Sequence, residues 1–417
     1  MSSGNSTSSR RRLLGAGLAL SLAPAWRVSM AQHGGHEPAG EAPARSGGEK
    51  PMKKQRRPQL ASGAAIAPDG SIWLAMLDAQ GRLVTQRSAD LGRSWSAPRP
   101  LEIGGELPSA DGENHPKIAF GPRGQVVVAY TRPLSKPFTG EIRLLHSSDG
   151  GAHFSAPATV HQDRQEITHR FESIAFDATG RLHVVWIDKR DMELAKKAGR
   201  DYAGAAIYRA VSSDGGASFG GDIKVADHSC ECCRIALARD ASGQIGALWR
   251  HVWPSEQRDP GFARLVDGAQ PVRAGEDRWK VSGCPHHGGS LVSARDGGWH
   301  SVWFGVRDGV AAVRYGRLDA EGRPQGQVLP LPDTAAEHAA IGRVDRRLAI
   351  VWRSFDGQLT RWRAWISPDE GLSWRLSELG SSNAANDFAR LVQDEGLQRM
   401  VAVWRCDDEQ GVRLVEL

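Results

Sequence analysis

The sequence predicts an all-β protein, a β-propeller whose blades are built from about four short strands each. Three observations predict it: a strand–turn–strand pattern that recurs seven times, closing aromatics at a near-constant interval, and an almost complete lack of helical periodicity. The copies are ASGAAIAPDGSIWLAML, HPKIAFGPRGQVVVAY, FESIAFDATGRLHVVW, CRIALARDASGQIGALW, GGSLVSARDGGWHSVW, AAIGRVDRRLAIVW and FARLVQDEGLQRMVAVW. The closing aromatics Tyr130, Trp186, Trp249, Trp303, Trp352 and Trp404 are 56, 63, 54, 49 and 52 residues apart. A pair of β-sandwiches has no need of such a period, whereas a propeller blade has. Residues 191–205 form the one stretch with helical character.

The elements follow in chain order. Arg10, Arg11 and Arg12 precede a mildly apolar run from Leu13 to Trp26, and the small residues Ser29 and Ala31 suit a signal peptidase. Residues 1–31 read as an export signal that resembles the twin-arginine type, with an ordinary basic leader as the alternative. Cleavage near Ala31 and a periplasmic or secreted location are expected. The apolar run is shorter than the ~20 residues of a membrane helix, and no later segment reads as a span. Residues 32–58 are rich in Gly, Pro, Glu, Lys and Arg and read as a disordered linker. The leader and linker carry a net charge of +7 against +5 for the whole chain, so residues 59–417 stand at −2. The basic balance therefore belongs to the N-terminal segment and implies no nucleic-acid surface. The propeller, residues 59–417, is expected to be a monomer.

Four segments share the pattern Ser-x-Asp-x-Gly-x-x-aromatic: SADLGRSW (88–95), SSDGGAHF (147–154), SSDGGASF (212–219) and SPDEGLSW (367–374). The Asp can accept hydrogen bonds from backbone N–H groups of the turn, Gly supplies a positive φ, and the aromatic can fold under the turn. LDAEGRPQG (318–326) reads as an eroded copy. The pattern resembles the Asp-box, or BNR, repeat of sialidases and related β-propellers. The resemblance covers residues 59 to about 417 and implies rim hairpins with a structural role for Asp90, Asp149, Asp214 and Asp369. The repeat count suggests seven blades; the sialidase resemblance implies six, with terminal strands sharing one.

Aligning the units on their first strands places unusual residues at equivalent positions, on the axial face. These are Asn114 and His115, then His169 and Arg170, then His228, Cys230, Cys232 and Cys233, then Cys284, His286 and His287, then His338, and finally Asn386 and Asp387. With only 14 His and 5 Cys in the chain, this concentration marks a candidate site. Thiolate and imidazole together favour copper or zinc. The C-x-C-C spacing is not that of a zinc ribbon, and tight thiolate clustering suits soft copper(I). His33 and His36, beside the amine that cleavage would expose, are copper-friendly as well. The alternative is a disulfide, since exported cysteines usually pair: Cys230 or Cys232 with Cys284, or a strained Cys232–Cys233 link. A redox-active thiol is a third possibility. Cys406 is expected to be an isolated buried thiol.

The sialidase resemblance also implies three arginines gripping a substrate carboxylate, a Tyr–Glu nucleophile pair and an acidic proton donor. Arg170, Arg234 and Arg390 stand near first-strand starts, and Glu172 and Asp387 are candidate acids. The family's Phe-Arg-Ile-Pro signature is missing; QRRPQL (55–60) departs from it. None of the four tyrosines has an evident Glu neighbour in sequence. Three functions follow as expectations: a non-hydrolytic propeller binding copper or zinc in a Cys/His axial site, a sialidase-type glycoside hydrolase acting on a small ligand at the same face, and an interaction scaffold.

Overall fold

The structure, a computed structural model, describes residues 60–417 apart from Cys284. The export signal, the linker and Cys284 lie outside the described residues. What remains is an all-β chain in which antiparallel hairpins succeed one another in sequence order. Among the described residues the strands form six sheets, one of them a fusion of the third and fourth units. That fusion rests on a single pairing, Ser229 with His251. The last unit contributes three strands, Arg390–Asp394, Arg399–Arg405 and Val412–Glu416.

The first strands of the units are Ser62–Ile66, Lys117–Phe120, His169–Phe176, Ala236–Arg239, Ser290–Ser293, Ala336–Val344 and Arg390–Asp394. Each lies beside the next, and the seventh lies beside the first. The second strands, such as VVVAY and LHVVW, read as continuous apolar runs because neighbouring sheets cover both of their faces. The core therefore sits between adjacent sheets. Val127, Ala129 and Leu144 of the second unit pack with Leu182, Val184 and Trp186 of the third. Ile72 and Leu74 of the first unit pack with Val401 and Val403 of the last. The closing aromatics Tyr130, Trp186, Trp249, Trp303, Trp352 and Trp404 are all buried. Their polar edges find partners: Trp186 donates to Asp188, Trp303 to Asp277 and Trp352 to Asp333, each at 2.8 Å.

The four Ser-x-Asp-x-Gly turns are built alike, between the third and fourth strands of their units. In each, the Asp accepts from the Ser hydroxyl and from the backbone N–H four residues on; at Asp214 these lie at 2.7 and 2.9 Å. The Ser oxygen accepts the Gly N–H, at 2.7–2.9 Å in all four. The carboxylates face outward, held low by these bonds: Asp90 and Asp369 to about 2, chiefly through Ser94 and Ser373. The turn glycines Gly92, Gly151, Gly216 and Gly371 face Leu414, Trp73, Leu144 and Tyr315 of adjoining units. The expected helix is present as Arg190–Lys197, on the connection that follows Leu182–Asp188. No helix among the described residues is long and apolar enough to cross a membrane.

Two first strands carry bulges that set side-chain direction. Register shifts opposite Val185 and Ile187 in the third unit and between Glu337 and Ala340 in the sixth. Phe171 and His338 take up the extra residue with φ of 58° and 52°. A bulge turns the following side chain to the other face.

Candidate functional site

The sequence places three cysteines within four positions of the connection between the third and fourth units, and the fold closes them into a knot of sulfur. Cys230 Sγ lies 3.8 Å from Cys232 Sγ and 3.7 Å from Cys233 Sγ. All three sulfurs lie within 4.8 Å of one another, buried. These separations exceed the ~2.05 Å of a disulfide. Arg258, from the third strand of the fourth unit, places Nη1 3.3 Å from Cys230 Sγ, which offsets thiolate charge. The Cys230 thiol and burial push the Cys233 thiol up, so an ion would have to displace a proton there.

Beside this knot lies a buried polar network joined by a residue that the sequence reading passed over. Glu113 Oε2 accepts the backbone N–H groups of Arg234, at 2.9 Å, and Gly288, at 2.7 Å. Its Oε1 lies 3.0 Å from His338 Nδ1 and 3.4 Å from Arg234 Nη1. One carboxylate of the second unit thus meets the fourth, fifth and sixth. Burial alone would raise its pKa, but Arg234, His338 and the backbone hold it down to about 2. The only sequence sign of it was an acidic residue directly before Asn114 and His115.

The other candidates fall into distinct places. His115 Nδ1 lies 2.8 Å from the Pro116 carbonyl and so carries the proton, leaving Nε2 to accept from Arg390 at 2.7 Å. Burial and Arg390 hold His115 well below the usual range. His287 stacks on His338 with ring centres 4.3 Å apart, and Glu337 completes a cluster of potential ion-binding atoms. His169 is elsewhere: it stacks on His161 at 3.9 Å and faces Asp163 and Asp188. His286 is exposed, with a positive φ of 56°. The structure thus brings Cys230, Cys232 and Cys233 together in one cluster and His287 and His338 in another, and it draws His169 and His286 away from both. Cys406 is buried, and its backbone bridges to Asn386.

The residues proposed for a sialidase centre are occupied by the protein itself. Arg170 is paired with Asp111, Arg234 with Glu113, and Arg390 with Asp387 at 3.1 Å. Asp387 also accepts the backbone and hydroxyl of Ser62, at 3.0 and 2.6 Å. Glu172 is buried, accepting from Thr131 at 2.6 Å. Burial pushes it up and pushes its electrostatic partner Lys117 down, to about 8. A Tyr–Glu pair does exist, unforeseen because its members are 24 residues apart: Tyr130 Oη donates to Glu106 at 2.6 Å. Burial and Glu106 push that phenol up, the opposite of an activated nucleophile, and Arg143 and Arg132 neutralise Glu106.

No protein-family profile and no curated sequence matches the chain. Solved structures do. One is a polysaccharide lyase of family PL25, an ulvan lyase, at TM-score 0.56 and 12% identity, covering 87% of this chain and 94% of its own. Another is the α-L-arabinofuranosidase Arb93A of Fusarium graminearum, at 0.51 and 11%, covering 79% and 95%. A Hadza microbial sialidase matches at 0.49 and 12%, covering 84% and 73%. At such identities the likeness is one of fold alone, and it rests on the lyase and the arabinofuranosidase: the chain has an all-β, β-propeller fold.

Proposed function

We propose that this is an exported, non-hydrolytic propeller that binds a soft metal ion, copper(I) with zinc as the alternative, at Cys230, Cys232 and Cys233. The observation that carries the reading is the sulfur spacing of 3.7 and 3.8 Å. Two sulfurs bound at ~2.3 Å to one tetrahedral ion stand about 3.8 Å apart, so the thiols already have the separation that a shared ion requires. Three clustered thiolates favour copper(I) over harder ions. Arg258 supports the site by balancing its charge. The four Ser-x-Asp-x-Gly turns are Asp-boxes on the blade rims, and the blades number seven. Seven consecutive first strands support that count over six.

The test is copper(I) titration of the purified mature protein against a chromophoric chelator under reducing conditions. One tightly held equivalent is expected. Its loss is expected when Cys230, Cys232 and Cys233 are changed together to Ser, with the β-sheet circular dichroism unchanged. Retention of copper by that variant overturns the proposal. Thiol titration of the exported protein identifies the disulfide alternative. A sialidase-type hydrolase shares the fold, but its three arginines and its tyrosine are committed internally. Turnover of a fluorogenic sialoside would restore that reading.

A further inference from the structure

We propose that His287, Glu337 and His338 form a second ion site, separate from the thiols, for a borderline divalent ion, zinc or copper(II). The inference does not rest on the copper(I) reading. It begins with a tautomer. His338 Nδ1 lies 3.0 Å from Glu113 Oε1, so that nitrogen donates a proton to the carboxylate. The other nitrogen, Nε2, is then a bare lone pair. It faces Glu337 Oε2 at 3.6 Å. Two electron-rich atoms oppose each other with no proton between them, an arrangement that a cation relieves. Their separation is close to the roughly 3.4 Å between two ligands bound at ~2.1 Å to one tetrahedral ion.

A third donor stands beside them. A ring nitrogen of His287 lies within 4.8 Å of a ligand atom of each residue, and His287 Nδ1 is buried with no hydrogen-bond partner among the described residues. The orienting groups of a built site are present too. Glu113 fixes the His338 ring from behind, as outer carboxylates do for metal-bound histidines. Arg353 Nη2 lies 3.4 Å from the same Glu337 oxygen and steadies it. Phe388 covers the other face of His338 at 3.5 Å. His338 keeps a strained φ of 52° at the bulge of its strand. Such strain persists where the surroundings demand one orientation. The two imidazoles lie nearly parallel, 12° apart, so ion binding turns the His287 ring out of the stack. That turn has to move the ring against Phe304, whose ring centre lies 4.5 Å away; the residues from Pro285 to Gly289 form no strand that would resist it.

Two imidazoles and a carboxylate, without sulfur, suit zinc or copper(II) rather than copper(I). The two clusters would therefore sort ions by softness. The experiment is zinc titration of the mature chain carrying Cys230→Ser, Cys232→Ser and Cys233→Ser, against a chromophoric competitor. One zinc is expected, weakened at least 10-fold by either His287→Gln or Glu337→Gln. In the wild-type thiol background these two changes should leave copper(I) binding intact. That separates failure of this site from failure of the thiol site. Cobalt(II), added after the thiols have been filled with copper(I), reads the wild-type chain if the serine background does not fold. Visible d–d bands without sulfur charge transfer are expected, and His287→Gln should abolish them. Zinc affinity unchanged in both variants, no bound zinc, or a cobalt spectrum of sulfur character alone overturns the proposal.

Discussion

Glu113 shows how much a single side chain can organise. It accepts from the backbone of two units and faces the side chains of Arg234 and His338. Glu113→Gln keeps the shape and removes the charge, leaving the Arg234 guanidinium buried without its counter-ion. Breaking a buried pair from one side typically costs about 3–5 kcal/mol, and urea unfolding at neutral pH should show a loss of that size. A loss below about 1 kcal/mol would mean that the carbonyls of Gly289 and Ala339 suffice to hold Arg234. The cysteine cluster was legible in sequence because its members are neighbours along the chain. Glu113 was not, because its partners lie 121 to 225 residues away and meet it only across the assembled sheets. The Tyr130–Glu106 pair was not legible either, because the 24 residues between its members leave no local pattern.

Among the elements, the four turns are the most legible, since their chemistry is local. Backbone, Ser and Asp satisfy one another within eight residues, whatever the rest of the fold does. What the pattern does not reveal is why Gly is needed twice over. Gly216 has φ of 100°, and a Cβ there would come within 3.0 Å of Leu144 in the preceding unit. Gly216→Ala thus combines backbone strain with a contact across two sheets. It should cost about 1–3 kcal/mol, read as a lower melting midpoint; an unchanged midpoint would mean that the turn is not pressed against its neighbour. The bulges at Phe171 and His338 were the least legible elements. An extra residue in a strand leaves no mark on apolar periodicity, yet it decides where His169, Glu172 and His338 point.

At the scale of the molecule, seven repeats with a regular aromatic period were enough to read the architecture, because each unit buries its second strand between neighbours. The same burial makes the fold sensitive to acid. His161 and His300 are both held down to about 3, foremost by burial, with His169 and Arg317 adding to the effect. Their unfolded value is 6.5. Stability from keeping them neutral is therefore fully present above pH 6.5 and falls as the pH drops from there toward 3. Within that window each histidine costs up to about 1.4 kcal/mol per pH unit. Unfolding free energies at pH 7 and pH 5 should differ by at least that much, with these two rings supplying about two of the protons taken up on unfolding at pH 5 and other buried histidines such as His115 adding to them. A flat profile over that interval would show that these rings are not dry in solution.

The clasp between Ser62 and Asp387 joins residues 325 positions apart. Arg405 reaching the Leu77 carbonyl at 2.8 Å and Leu414 lying against Gly92 belong to the same seam. These contacts cannot form until every intervening unit is in place, so loop-closure entropy falls due before any of them contributes. Closing the seam is then the natural late step of folding, and parting it the cheapest way to begin unfolding. Amide protons of the first and last units should exchange before those of the third and fourth, whose strands belong to one sheet.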